Sequence, residues 1–165
     1  VVSIRGFTPL YRINEIFDAR ERSLQKPRLH LIYPFGEDLY KAKVSERLGP
    51  GDLDLGRLSR TKMYELLASA KLAISIPISD SSPRSVYEAI FCGCCVAATF
   101  NPWIDALPDC MKARVITVDL EDDSWLETAL QFADSISKIQ YKPSEMALDM
   151  FDQRRTMQVV ADRFY

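Results

Sequence analysis

The residue types able to do chemistry concentrate in Ser79-Asp80-Ser81-Ser82-Pro83-Arg84-Ser85, with Glu88 three residues further on. Serine is a favoured helix cap and proline suits the first helical position, so Ser82-Pro83 predicts a helix that runs to about Phe91. The first amides of a helix have no partner inside it. Those of Arg84 and Ser85 would face outward with the positive end of the helix dipole behind them, which makes an anion site. Pro83 removes one donor and leaves the next two. Arg5, on an earlier loop, would add a fixed guanidinium whose planar fork suits a phosphate. Glu88 falls within the apolar segment Val86 to Val96, where an unpaired carboxylate is costly to bury. It must either pair with Arg84 one turn away or face a cleft and accept hydrogen bonds from ligand hydroxyls. In the plainer alternative, Ser-Ser-Pro is only a good helix start and Arg84 pairs with Glu88. Asp80 on the loop and Glu88 on the helix can both face one polyol ligand.

Other candidates carry less. Asp52-Leu53-Asp54 has a spacing that can bind a divalent cation, but so short a match recurs by chance and here follows a Gly-Pro-Gly turn, so no metal site is read from it. Cys92, Cys94 and Cys95 offer zinc-type ligands, yet adjacent strand residues point to opposite faces and no second pair exists. Small buried thiols packing a sheet are the expectation. His30, the single histidine, sits inside a strand with no nucleophile signature near it and reads as structural. Glu121-Asp122-Asp123 reads as a solvated acidic helix start. Pro102 and Trp103 either line a ligand pocket or fill the core.

These residues must be positioned by alternating strands and helices. Strands are predicted at Val1 to Arg5, Leu29 to Tyr33, Leu53 to Leu55, Leu72 to Ile78, Cys94 to Thr99 and Val115 to Val118. Between them, Leu10, Ile13, Ile16 and Phe17 repeat at helical spacing after Pro9 and predict a helix of about fifteen residues. A polar helix is expected from Glu37 to Leu48, and one capped by Ser59 carries Met63, Leu66 and Leu67. Ser124 and Glu127 have capping-box spacing for a helix to about Ile139, and Ser144 to Tyr165 is expected to be helical in one or two pieces. Such alternation implies right-handed crossovers and an α/β, Rossmann-like parallel sheet with helices on both faces. Ligands then bind at the carboxyl ends of the strands. Three loops fall there: Arg5-Gly6-Phe7-Thr8, Gly56-Arg57-Leu58-Ser59, and Ser79 to Ser85.

Composition bounds the rest. With 165 residues, 47% of them apolar, the chain can build one core, and residues 1–165 read as a single domain without repeats or linkers. A balance of 21 basic against 23 acidic side chains gives no support to nucleic-acid binding through counterion release. The longest apolar run, Ala89 to Ala98, is about half of what a membrane helix needs. Crowded cysteines, with no charged and apolar leader at the front, predict reduced thiols and a cytoplasmic setting. The opening Val1-Val2-Ser3-Ile4, a strand without an initiator Met, predicts a piece of a longer protein.

The run from Ser79 to Val96 resembles the signature of retaining GT-B glycosyltransferases, the glycosyl transferases group 1 family. In that signature two acidic residues, seven residues between them, precede Ala, an apolar pair, a small residue, Gly and a strand. Ser3-Ile4-Arg5-Gly6 is similar to the opening strand and arginine of that family's C-terminal half, and Gly56-Arg57-Leu58-Ser59 with Tyr64-Glu65-Leu66-Leu67 to its nucleotide-base loop. The resemblance implies a donor-binding domain, one part of a two-domain enzyme, that holds a nucleoside-diphosphate sugar such as a UDP- or GDP-hexose. By similarity Glu88 accepts bonds from the ribose, Leu58 and its loop hold the base, and Arg5-Gly6 with Ser82, Arg84 and Ser85 hold the diphosphate. Asp80 would touch the transferred sugar. It implies no cofactor and no metal; the acceptor, and any membrane contact, would belong to an N-terminal domain. The sequence departs from the pattern where Asp80 replaces the usual glutamate and Leu10 a frequent lysine, leaving Arg5 alone or Arg12 with it for the phosphates. The alternatives are a nucleotide-sugar epimerase half and a non-catalytic interaction domain of the same fold.

Overall fold

A computed structural model describes residues 1–81, 83–136 and 139–164. Ser82 and Tyr165, which figured in the reading above, lie outside them. Six strands, β1 (Val2–Ser3), β2 (His30–Ile32), β3 (Leu53–Gly56), β4 (Leu72–Ser75), β5 (Cys95–Thr99) and β6 (Val115–Val118), form one parallel sheet in the order β3-β2-β1-β4-β5-β6. The order runs outward in both directions from the β1–β4 pair, which register as Val2 with Ala73 and Ser3 with Ile74. That pair is the topological switch point of a doubly wound sheet.

Helices cover both faces, as a parallel sheet requires. On one face lie α1 (Ile13–Arg22), α2 (Asp38–Ser45) and α6 (Trp125–Ile136), which pack Ile16, Phe17, Val44 and Leu126 on Leu31, Ile74 and Ala97. The other carries α3 (Arg60–Ser69), α4 (Arg84–Phe91), α5 (Asp109–Lys112) and α7 (Glu145–Phe151), which pack Leu67, Val86, Ile90, Met111 and Ala147 on Val2, Ala73 and Val96. The last helix, α8 (Gln153–Phe164), follows α7 directly. The two-residue period along the strands sorts the core: Cys95 and Ala97 go to the first face, Cys94, Val96 and Ala98 to the second.

The structure departs from expectation in several places. The helix expected from Pro9 is a 3-10 turn, Pro9–Tyr11, separated from α1 by Arg12 in the left-handed region (φ 52°). The expected capping box is not made: Glu127 accepts hydrogen bonds from Ser23 Oγ (2.8 Å) and Gln25 Nε2 (2.9 Å), and Ser124 donates to Asp122. A tertiary partner took the carboxylate. Strands β1 and β4 are also shorter than the apolar runs that contain them: Ile4 and Ile76 are buried but lie beyond the ladder.

Candidate functional site

Sixteen residues at the carboxyl edge of the sheet enclose a cleft of about 420 Å³. It lies between the chain leaving β1, β2 and β3 and the first two turns of α4. Arg5, Gly6, Gly56, Leu58, Arg84, Ser85 and Glu88, all singled out in the sequence, line it together.

The floor is set by backbone. Phe7 N–H donates to Phe35 O (2.9 Å) and Glu37 N–H to Phe7 O (3.0 Å), joining the segments after β1 and β2 in a short parallel bridge. Gly6 sits under two aromatic rings: a Cβ there would come within 2.6 Å of Phe35 and 2.7 Å of Tyr11. Gly56 closes β3 at φ 57°, a conformation that glycine adopts without strain. Next to it Ser59 caps α3, its hydroxyl accepting from Lys62 N–H at 3.4 Å, which fixes the Arg57-Leu58 loop at the cleft.

Arg5 joins three elements. Its Nη1 donates to Ser85 Oγ on α4 (2.9 Å), its Nη2 is ion-paired with Asp80 on the loop after β4, and its Cζ lies 4.9 Å from the centre of the Tyr11 ring. Asp80 is not itself among the cleft-lining residues; it stands behind Arg5, with its backbone carbonyl held by Asn101 Nδ2 at 2.7 Å. Pro83 occupies the cap position, so α4 begins one residue later than expected and its first amides belong to Arg84 and Ser85. Glu88 lies one turn beyond Ser85 on the same helix face. It is half-buried, and Oε1 accepts from the hydroxyl of Tyr64 on α3 (3.2 Å) instead of pairing with Arg84 among the described residues. Burial and the nearby Glu88 carboxylate push the Tyr64 phenol above its ordinary range.

Chemically, the cleft combines guanidinium groups and helix amides for an anion, an apolar and aromatic wall for a ring, and a carboxylate for hydroxyls. The wall, made by Tyr11, Tyr33, Phe35 and Met63, was missed in the sequence. Tyr33-Pro34-Phe35 ends a strand on the ligand side, and that position was the available signal. Arg12 is elsewhere, in a separate depression with Thr99, Phe100 and Asp119, which leaves Arg5 as the arginine of the first loop in the cleft.

The remaining candidates have structural surroundings. Asp52 accepts from the amides of Leu29 (2.8 Å) and Gly49 (2.7 Å) and is ion-paired with Arg20. Asp54 accepts from the Tyr33 hydroxyl at 2.7 Å. Among the described residues no group of three His, Cys, Asp or Glu side chains is placed to hold a metal ion. Cys94 and Cys95 are buried, and burial pushes the Cys94 thiol up to about 12. His30 lies in β2 away from the cleft, and burial lowers its pKa. Trp103 packs edge-on to Tyr87 (5.9 Å) and fills the core. No helix of the described residues is long and apolar enough to cross a membrane.

No family model matches the sequence, and no curated protein matches it. Solved structures do. AviGT4, a glycosyltransferase involved in Avilamycin A biosynthesis, superposes with a TM-score of 0.62 at 16% identity, over 98% of this chain and 49% of its own. HepE (Alr3699) from Anabaena, in complex with UDP and glucose, gives 0.59 at 16% identity over 96% of this chain and 48% of HepE. The catalytic domain of the cholesterol-alpha-glucosyltransferase from Helicobacter pylori gives 0.55 at 17%, covering 90% of this chain and 98% of that domain. The chain thus spans about half the length of AviGT4 and HepE. At these identities the shared property is the fold, the α/β, Rossmann-like fold of GT-B glycosyltransferases.

Proposed function

We propose that this chain is the donor-binding part of a glycosyltransferase, holding a nucleoside-diphosphate hexose such as a UDP- or GDP-sugar. The sugar would pass, with retention at the anomeric carbon, to an acceptor held by an N-terminal domain of the same protein. The observation that carries the reading is the convergence of Arg5, Gly6, Gly56, Leu58, Arg84, Ser85 and Glu88 on one cleft beside the switch point of the sheet. The UDP bound to HepE, a protein of the same fold, supports it.

In this reading Arg5 and the amides of Arg84 and Ser85 hold the diphosphate, Leu58 and its loop the base, and Glu88 the ribose hydroxyls. A carboxylate accepts several hydrogen bonds, so the bond from Tyr64 leaves Glu88 capacity for a ligand. Asp80 reaches the transferred sugar once its hold on Arg5 is released. The leaving group is a nucleoside diphosphate whose negative charge grows as the glycosidic bond breaks. Fixed guanidinium and amide donors stabilise that charge more in the transition state than in the ground state. The mechanism therefore needs no cofactor, and the 165-residue chain alone binds donor without transferring it. Calorimetric titration of the chain with UDP, GDP and their hexoses tests the reading: heat saturating at one site per chain is expected, and no heat from any of them would overturn it.

A further inference from the structure

We infer that Asp80 is a resident anion beside the site: its carboxylate holds the Arg5 guanidinium from outside the cleft, and a phosphorylated ligand binds by drawing the guanidinium away from it. The inference rests on the donor-site reading and adds to it what must break before the donor is held.

The guanidinium is engaged on three sides, by Ser85 Oγ, by the Asp80 carboxylate and by the Tyr11 ring. The two ion-paired side chains are 14% and 12% exposed, so solvent and salt screen them much less than a surface pair. Arg5 Nε is buried and has no hydrogen-bond partner among the described residues. A buried N–H left unmade is costly, so this pose leaves part of the donor fork unsatisfied. A phosphate offers several acceptor oxygens in a geometry that the fork matches. Arg5 lines the cleft and Asp80 does not, so the arginine is shared between the carboxylate behind it and whatever anion enters in front. Because Asn101 holds the Asp80 backbone carbonyl, the side chain can let go while its loop stays in place. An uncharged nucleoside does not compete for Arg5 and is indifferent to the pair. A diphosphate competes, and its apparent affinity is reduced by the fraction of molecules in which Arg5 is still held by Asp80.

Asp80→Asn keeps the shape and removes the charge. The full 165-residue chain and this variant are titrated in a calorimeter with uridine, UDP, GDP and inorganic pyrophosphate. The variant is expected to bind UDP and pyrophosphate roughly tenfold tighter and uridine unchanged. Asp80→Ser is expected to shift affinity in the same direction and serves if the asparagine variant does not fold. In the unmodified chain, pyrophosphate is expected to move the Arg5 Nε–H resonance in a nitrogen-correlated NMR spectrum. Phosphate binding that is unchanged or weaker in a folded variant, or that leaves this resonance in place, overturns the inference alone. Failure of the unmodified chain and the variants to bind any phosphate probe overturns the donor-site reading and this inference together.

Discussion

Single side chains divide into those that face the cleft and those that look reactive but are spent on structure. Glu88 belongs to the first group, since its carboxylate is half-buried at the cleft and accepts a hydrogen bond from the Tyr64 hydroxyl. Glu88→Ala is expected to weaken UDP or GDP binding at least about tenfold, the lower end of what a charge-assisted hydrogen bond contributes, as read by calorimetry. An unchanged affinity would remove Glu88 from the ribose. The thiols divide similarly. Cys94 is buried, with its thiol pushed up to about 12, whereas burial of Cys110 is outweighed by its hydrogen bonds with the amide and hydroxyl of Ser144, which lower its pKa. Since the thiolate is the reactive form, a disulfide reagent applied to the folded chain is expected to label Cys110 ahead of Cys94, and mass spectrometry reads the order.

The elements were legible wherever a local period or cap governed them. Helix α3 begins where Ser59 predicted, because capping needs only residues a few positions apart. Ser59→Ala is expected to lower stability by about 1 kcal/mol, measured by urea unfolding, and to loosen the Arg57-Leu58 loop against the cleft. Strand β4 was equally plain as an apolar run, and its Ile74 is fully buried between helices and neighbouring strands. Ile74→Ala is expected to cost about 2–5 kcal/mol in the same assay, far more than the cap. Where the elements failed to follow the local signal, a distant partner had intervened. Glu127 had the spacing to cap α6, yet Ser23 and Gln25, over a hundred positions earlier in the chain, hold it. The helix expected from Pro9 breaks at Arg12, where the chain turns to bring Tyr11 over Arg5.

Across the whole molecule, Asp52 shows how a site-like spacing can serve assembly. Its side chain, 2% exposed, fastens the start of β2, the turn before β3 and Arg20 of α1 to one another. Burial by itself would raise its pKa, but the two amides and the guanidinium outweigh burial and lower it. The folded state therefore binds this proton less readily than the unfolded chain, so the carboxylate contributes stability above the unfolded value and loses it as pH falls. Asp52→Asn is expected to cost about 3 kcal/mol at pH 7 and to flatten the loss of stability below about pH 5 seen by urea unfolding. The sequence by itself determined the alternating α/β pattern, the sorting of Cys94 and Cys95 to opposite faces and the residues of the three ligand-side loops, because periodicity, caps and strand order act over short separations. Tertiary structure alone decided that those loops share one cleft, that Tyr11, Phe35 and Tyr33 wall it, and that Arg5 is held by Asp80 while Glu88 is held by Tyr64. Such pairings join residues many positions apart, and which carboxylate meets which donor depends on the packing of whole elements, which no local pattern encodes.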